Sequence, residues 1–171
     1  FGGRPAVVRV MPNTPALIGA GISGLFANSQ VTLDGRENAA QVMKAVGNIV
    51  WLQNEGELDL VTAVSGSGPA YFFYLMEAIE RVAVSEGLDP TTARTLTVET
   101  AIGAGRLALA SSDSLAVLRE QVTSPGGTTE AAINSLDESQ VSKSVGRAVN
   151  AAKDRSEALS QLLGTEDRDK T

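Results

Sequence analysis

Residues 122–129 read VTSPGGTT, and this stretch joins two segments whose sequence patterns are both helical. Pro125 fixes its own φ and removes one backbone donor, whereas Gly126 and Gly127 allow positive φ and let a ligand approach the main chain closely. The turn thus has the composition of a ligand-binding site. It lies in the part of the chain, from Glu55 onward, whose sequence predicts helices with almost no strand propensity.

Thr128 and Thr129 follow the two glycines, and we expect them to cap a helix that begins near Glu130. The first-turn N–H groups of that helix then point into the turn, where they and the side-chain hydroxyls can converge on one small anion. A simple Pro-Gly connector between two helices explains the same residues without a ligand. These residues alone leave both interpretations open.

The composition of the 171-residue chain limits its chemistry. Cysteine and histidine are both absent, which excludes a thiolate nucleophile, a Cys-ligated metal, a Ser-His pair and an imidazole base. The net charge is −6 and the basic residues are scattered, so neither nucleic acid nor an anionic membrane is an expected partner. Because no apolar run reaches the ~18 residues of a membrane span and no signal peptide is evident, we expect a cytoplasmic protein without a metal.

The first 54 residues have the pattern β-loop-β-α-β. A strand at 7–11 ends at Met11-Pro12-Asn13-Thr14-Pro15, which is either a rigid turn or a polar rim at the end of a strand, where open α/β sheets bind ligands. Residues 30–33 look strand-like, a helix capped by Asp34 is predicted to end at Gly47, and a short strand follows at 49–52.

The segment Gly19–Gly24 matches the pattern G-x-G-x-x-G. A dinucleotide fingerprint requires a strand before it and a helix after it, whereas here prolines precede the glycines and strand-like sequence follows. We therefore predict a glycine-rich hairpin connection and not a cofactor loop.

From Glu55 onward the sequence predicts helices. A helix from Leu58 to Val64 is interrupted at Ser65-Gly66-Ser67-Gly68, and Pro69 opens the next helix, which runs to about Glu86. The break exposes donors that suit a phosphate, a carboxylate or an amide-bearing ring, although a plain turn is an equally good explanation. The new helix is apolar around most of its first turns, so its own domain or a second subunit must surround it. Further helices are predicted at 91–110, 114–121, 130–136 and 141–163.

Three motifs in this order resemble pyrroline-5-carboxylate reductase: Met11–Pro15, Val61–Tyr71 and Leu118–Thr129. The resemblance extends to Arg155–Leu159 in the last helix. It implies NADPH- or NADH-dependent reduction of the cyclic imine 1-pyrroline-5-carboxylate to L-proline. It also implies an amino-terminal Rossmann domain and an all-helical domain that interlocks two subunits.

The resemblance implies a mainly α fold in three parts. Residues 1–54 are expected to be the last β/α elements of the Rossmann domain, 55–164 the helical dimerisation and substrate-binding domain, and 165–171 a charged tail. The first βαβ units, with the true phosphate fingerprint, are missing from this sequence. We therefore expect a fragment that does not hold a dinucleotide alone, and a homodimer that can assemble into a higher oligomer of dimers.

The resemblance also implies roles for individual residues. The substrate carboxylate is expected on the loop formed by Val122, Ser124, Gly126, Gly127, Thr128 and Thr129. Thr129 is expected to face the ring nitrogen and is the candidate catalytic residue. The nicotinamide side is expected to be lined by Asn13, Thr14, Ser67, Gly68 and Pro69. In the resembling enzymes the site lies between the cofactor domain of one subunit and the helical domain of its partner.

Two alternatives remain. One is the helical domain of a β-hydroxyacid-type dehydrogenase, although those enzymes use a helix-borne lysine and none of Lys44, Lys143, Lys153 and Lys170 lies in such a motif. The other is a helical dimerisation module without catalytic activity. Binding of a small carboxylate by residues 122–129 discriminates between the module and the reductase.

Overall fold

The computed structural model of the protein describes residues 5–166, which divide into two compact units. One unit contains the chain up to Tyr71 together with the chain from Arg147 onward, and the other is Phe72–Gly146. Helices predominate, so the predicted mainly α fold is confirmed. The predicted domain boundary after residue 54 stays a prediction.

The first unit is built on a three-stranded sheet. Its elements are, in chain order, β1 (Val8–Met11), a 3₁₀ helix (Thr14–Ile18), β2 (Gly21–Ala27), α1 (Leu33–Lys44), β3 (Gly47–Trp51), α2 (Glu57–Val61) and a π-helical segment (Thr62–Gly66). The central strand β2 is antiparallel to β1 and parallel to β3. Helix α1 provides the crossover that a parallel pair needs. The predicted β-loop-β-α-β order is confirmed.

The start of α1 differs from the prediction. Residues 30–33 form a turn and the first residue of the helix, not a strand. Thr32 is the N-cap, because its hydroxyl oxygen accepts a hydrogen bond from the Gly35 N–H at 3.1 Å. Asp34 lies in the first helical turn, where its negative charge is favourable near the positive end of the helix dipole. Predicting Asp34 as the cap was therefore wrong by two residues.

The predicted glycine-rich hairpin connection is also corrected. Only Gly19, with φ of 72°, lies in the connection, whereas Gly21 and Gly24 are buried residues of β2. A β-carbon on Gly21 would lie 2.8 Å from that of Ala16, and one on Gly24 would lie 2.8 Å from a methyl of Val61. Glycine is needed at both positions because Ala16 and Val61, which belong to the same unit, pack closely against this strand.

Replacing Gly24 by alanine is expected to lower the free energy of unfolding by roughly 2 kcal/mol, because the added methyl overpacks against Val61. The measurement is urea denaturation followed by far-ultraviolet circular dichroism. Gly56→Ala is the matched control, since Gly56 has a helical φ of −63° and no atom within 4 Å of an added β-carbon. Equal stability of the two variants would contradict the packing argument.

The remaining helices are α3 (Gly68–Ser85), α4 (Pro90–Ala110), α5 (Leu115–Gln121), α6 (Thr128–Glu138) and α7 (Val141–Glu166). All five were predicted, with ends that agree within three residues. Residues 167–171 of the predicted charged tail lie outside the described residues. No helix in the described part of the chain combines the length and the apolar character needed to cross a membrane.

In the first unit, α7 is tied to α2 by a polar contact. The Asp59 carboxylate accepts hydrogen bonds from the hydroxyls of Ser156 at 2.7 Å and Ser160 at 3.3 Å. These residues are about a hundred positions apart in the sequence, so the contact joins the end of the chain to the first helix after the sheet.

The second unit leaves a large apolar surface exposed. On α3 the side chains of Phe72, Phe73 and Tyr74 are 67%, 63% and 77% exposed. Phe72 and Phe73 line an open groove of about 1010 Å³ that is also bordered by residues of α4, among them Val98 and Ile102. An apolar surface of this kind is typical of a protein–protein interface.

Candidate functional site

The loop between α5 and α6 is a tight turn. Gly127 donates its N–H to the carbonyl of Ser124 at 3.0 Å, which closes a four-residue turn around Pro125 and Gly126. Gly126 has φ of 72°, a conformation that side chains disfavour. Proline followed by a positive-φ glycine is the signature of a type II turn. The predicted Pro-Gly turn is therefore confirmed.

The predicted caps of α6 are corrected. The helix begins at Thr128 and not near Glu130, and its N-cap is Gly127, which has an extended backbone and no side chain to cap with. Thr128 and Thr129 are thus inside the first turn. The prediction failed because two adjacent threonines look like caps, whereas the extended glycine before them already ends the turn. The first-turn N–H groups consequently have no side-chain cap.

Glu130 is part of the loop, a role that was not predicted from its position in the sequence. Its Oε2 accepts a hydrogen bond from the Gly126 N–H at 2.8 Å. Glu130 is the third residue of α6 and reaches back across the N-terminus, as the acidic residue of a capping box does. An acidic residue three positions after the N-cap is the sequence pattern from which this contact could have been predicted.

Three hydroxyls surround the uncapped helix end. Within the described residues, those of Ser124, Thr128 and Thr129 make no hydrogen bond to the protein. Ser124 and Thr128 are exposed and Thr129 is half-buried, while Val122 at the end of α5 is 59% exposed. Free N–H groups and free hydroxyls together form a donor-rich surface that suits a carboxylate.

In the first unit, the segment after β1 is held by Asn13. The Asn13 Oδ1 accepts a hydrogen bond from the Ile22 N–H at 3.0 Å, which ties the loop to the start of β2. Thr14 is exposed at the first position of the 3₁₀ helix, followed by Pro15. The structure therefore gives this segment a rigid conformation and leaves the Thr14 hydroxyl accessible.

The predicted break near Ser65–Gly68 is a π-helical segment. Its backbone closes with the Ser67 N–H donating to the Thr62 carbonyl at 2.8 Å, and the Tyr71 hydroxyl donates to the Ala63 carbonyl at 3.0 Å. A β-carbon on Gly66 would lie 2.6 Å from Cε of Met11, so this segment packs directly against the end of β1. Such π-helical turns occur frequently at functional sites.

The predicted site residues thus fall into two groups. Asn13 and Thr14 belong to the same unit as Ser67, Gly68 and Pro69, and Gly68 is buried there. The loop 122–129 belongs to the second unit. Among residues 5–166, no cluster of acidic side chains has a geometry that could hold a metal ion.

Comparison with known proteins relates these two groups to one family. The family model for pyrroline-5-carboxylate reductase dimerisation matches residues 55–159. A pyrroline-5-carboxylate reductase of Pseudomonas aeruginosa is 52% identical over 161 residues, which cover 94% of this chain and 59% of that protein. One from Vibrio alginolyticus is 43% identical over 158 residues, covering 92% and 58%. The chain thus spans less than two thirds of the length of the curated relatives it matches.

Solved structures agree with the sequence relatives. A pyrroline-5-carboxylate reductase from Coxiella burnetii superposes with a TM-score of 0.87 at 44% identity, covering 90% of this chain and 57% of that one. The pyrroline carboxylate reductase of Plasmodium falciparum, solved with NADP bound, has a TM-score of 0.84 at 31% identity, covering 90% and 60%. The family model alone covers more than half of the chain, and the resemblance found in the sequence motifs is confirmed. The chain therefore belongs to the pyrroline-5-carboxylate reductase family and contains its dimerisation region.

Proposed function

We propose that this chain is the carboxyl-terminal part of a pyrroline-5-carboxylate reductase, which reduces 1-pyrroline-5-carboxylate to L-proline at the expense of NADPH or NADH. In this proposal the chain supplies the dimer interface and the substrate-carboxylate loop. The observation that carries the proposal is the donor-rich loop of residues 122–129. The reductases that the chain matches at up to 52% identity support it.

The loop suits the substrate because the first-turn N–H groups of α6 and three nearby hydroxyls have no hydrogen-bond partner among the described residues, and the substrate carries one carboxylate. We assign the carboxylate to the uncapped N–H groups of Thr128 and Thr129, with a further contact from the Ser124 hydroxyl. Gly126 and Gly127 have no side chains, so they let the carboxylate approach the main chain closely. The positive end of the α6 dipole adds a favourable interaction with the negative charge. Val122, at the end of α5, is assigned to the wall of the same site.

Thr129 is assigned to the ring nitrogen. Addition of a hydride to the carbon of a C=N bond requires a proton on the nitrogen to give the neutral amine, and a hydrogen-bond donor at the nitrogen stabilises the charge that develops there before the proton is in place. The Thr129 hydroxyl has no protein partner within the described residues, so it is free to make this contact. No metal, thiolate or imidazole is needed for this role, which agrees with the residue types present.

The nicotinamide is assigned to the first unit, and the residues there fit an amide-bearing ring. Among residues 5–166 the Asn13 side chain makes a hydrogen bond only through its Oδ1, which leaves the side-chain amide donor for a carboxamide oxygen. Thr14 adds an exposed hydroxyl, and the Ser67-Gly68-Pro69 junction allows close approach because Gly68 has no side chain. When bound, the reduced cofactor supplies a hydride to the imine carbon. NADPH is proposed because the Plasmodium falciparum relative was solved with NADP.

The homodimer is proposed from the exposed apolar surface on α3. A helix whose aromatic side chains are more than half exposed gains stability when a second copy covers them. The match to a dimerisation family supports the same partner. Association of the dimers into a higher oligomer stays a prediction.

The proposed function is tested with the complete polypeptide that contains this sequence and, separately, with residues 1–171. Intact mass identifies each sample, and pyrroline-5-carboxylate-dependent oxidation of NADPH measures activity. We expect activity from the complete polypeptide and none from residues 1–171, because the described part contains no nucleotide fingerprint. Inactivity of a folded complete polypeptide with both NADPH and NADH would contradict the proposal.

A further inference from the structure

We infer that Glu130 is a positioning residue that prepares the 122–129 loop for the substrate carboxylate, an inference that rests on the proposed function. The observation is the 2.8 Å hydrogen bond from the Gly126 N–H to the Glu130 carboxylate. This contact joins the tip of the turn to the first turn of α6.

The hydrogen bond from Gly126 to Glu130 provides a partner for a backbone donor that the turn itself leaves unpaired. In a type II turn the N–H of the second central residue points away from the turn and has no partner inside it. Gly126 occupies that position with φ of 72°, and its N–H is satisfied by Glu130. A charge-assisted bond of this kind is roughly twice as strong as a neutral one. The turn is thereby fixed before any ligand arrives.

The same contact selects which donors remain for the ligand. With the Gly126 N–H occupied and the Gly127 N–H bonded to Ser124, the donors left in the described part of the loop are the first-turn N–H groups of α6, among them those of Thr128 and Thr129. The substrate carboxylate is directed to these two groups, next to the Thr129 hydroxyl. Glu130 does not touch the substrate in this arrangement, because its carboxylate would repel another one.

Positioning and competition make opposite predictions for Glu130→Ala. If Glu130 prepares the loop, its removal raises KM for pyrroline-5-carboxylate and Kd for L-proline about tenfold, while kcat and KM for NADPH change less than about twofold. If Glu130 instead competes for a donor that the substrate needs, both constants for the carboxylate ligands fall. A merely structural role lowers the melting temperature without this separation of KM from kcat.

The experiment compares four forms of the complete polypeptide. Glu130→Gln keeps an acceptor oxygen without the charge and is expected to restore KM to within about threefold of the wild-type value. Glu138→Ala removes an acidic residue from the other end of α6 and is expected to behave as the wild type. Amide hydrogen exchange at Gly126, measured by NMR without substrate, is expected to be faster in Glu130→Ala only.

The outcomes separate the two hypotheses. Normal wild-type kinetics together with an unchanged or lowered KM in Glu130→Ala overturn the positioning role and leave the reductase proposal intact. A KM in Glu130→Gln as high as that of Glu130→Ala also overturns it. A wild-type protein that neither reduces pyrroline-5-carboxylate nor binds L-proline removes both, even if Gly126 exchange responds to Glu130.

Discussion

Phe73→Asp is expected to convert the proposed homodimer into monomers at micromolar concentration. Phe73 is 63% exposed on α3 and lines the groove that α4 also borders. Placing an aspartate there in a dimer buries an unpaired charge, which costs several kcal/mol. A loss of about 4 kcal/mol raises the dimer dissociation constant about 1,000-fold. Analytical ultracentrifugation measures the change directly.

The matched control introduces the same charge elsewhere. Gln41 is an exposed polar residue of α1 in the first unit, so Gln41→Asp is expected to leave the dimer unchanged. Circular dichroism checks that Phe73→Asp remains helical. A wild-type protein that sediments as a monomer, or a Phe73→Asp variant that stays dimeric, would refute the α3 surface as the interface.

Thr129→Ala is expected to lower kcat about 100-fold in the complete polypeptide, a loss typical of removing one group that assists proton transfer. The proposed contact between the Thr129 hydroxyl and the ring nitrogen is made most strongly as negative charge develops there. Its removal therefore lowers kcat more than it raises KM for pyrroline-5-carboxylate. Steady-state kinetics with saturating NADPH measure both constants.

Thr129→Ser is the informative control for this prediction. Serine keeps the hydroxyl and removes one methyl group, so it is expected to retain most of the activity. If Thr129→Ala keeps wild-type kinetics, Thr129 has no part in the reaction. If the serine and alanine variants lose activity equally, the methyl group and not the hydroxyl matters, and the proposed contact is wrong.

The site could be predicted from sequence where its chemistry is local. A Pro-Gly pair is sufficient to locate the turn at 125–126, and the hydrogen bond between Gly127 and Ser124 confirms it. The exact start of α6 was missed because Thr128 has a side chain typical of an N-cap, whereas it is Gly127 that has the extended backbone conformation of an N-cap. Glu130 was missed although it is only four positions after Gly126, because its role depends on which donor the turn leaves unpaired.

In the fold, too, features set by nearby residues could be predicted, whereas features set by distant residues could not. The order of helices and strands could be predicted from the periodicity of apolar residues and from the Gly and Pro residues that end each element. Both signals act within a few residues of the chain. The burial of Gly21 and Gly24 inside β2 did not follow from the local pattern. Their reason lies in Ala16 and in Val61, and Val61 is 37 positions after Gly24.

Motifs and backbone preferences act over a few residues, so the family, the mainly helical class and the Pro-Gly turn could all be predicted from the amino-acid sequence. Contacts in the folded protein were needed to show that Gly21 and Gly24 of the G-x-G-x-x-G pattern are packed inside β2, that a π-helical segment lies against Met11, and that Asp59 holds α7 through Ser156. These features depend on contacts between residues that are distant in the chain. Their energies arise from steric fit and hydrogen-bond geometry, which exist only once the chain has folded.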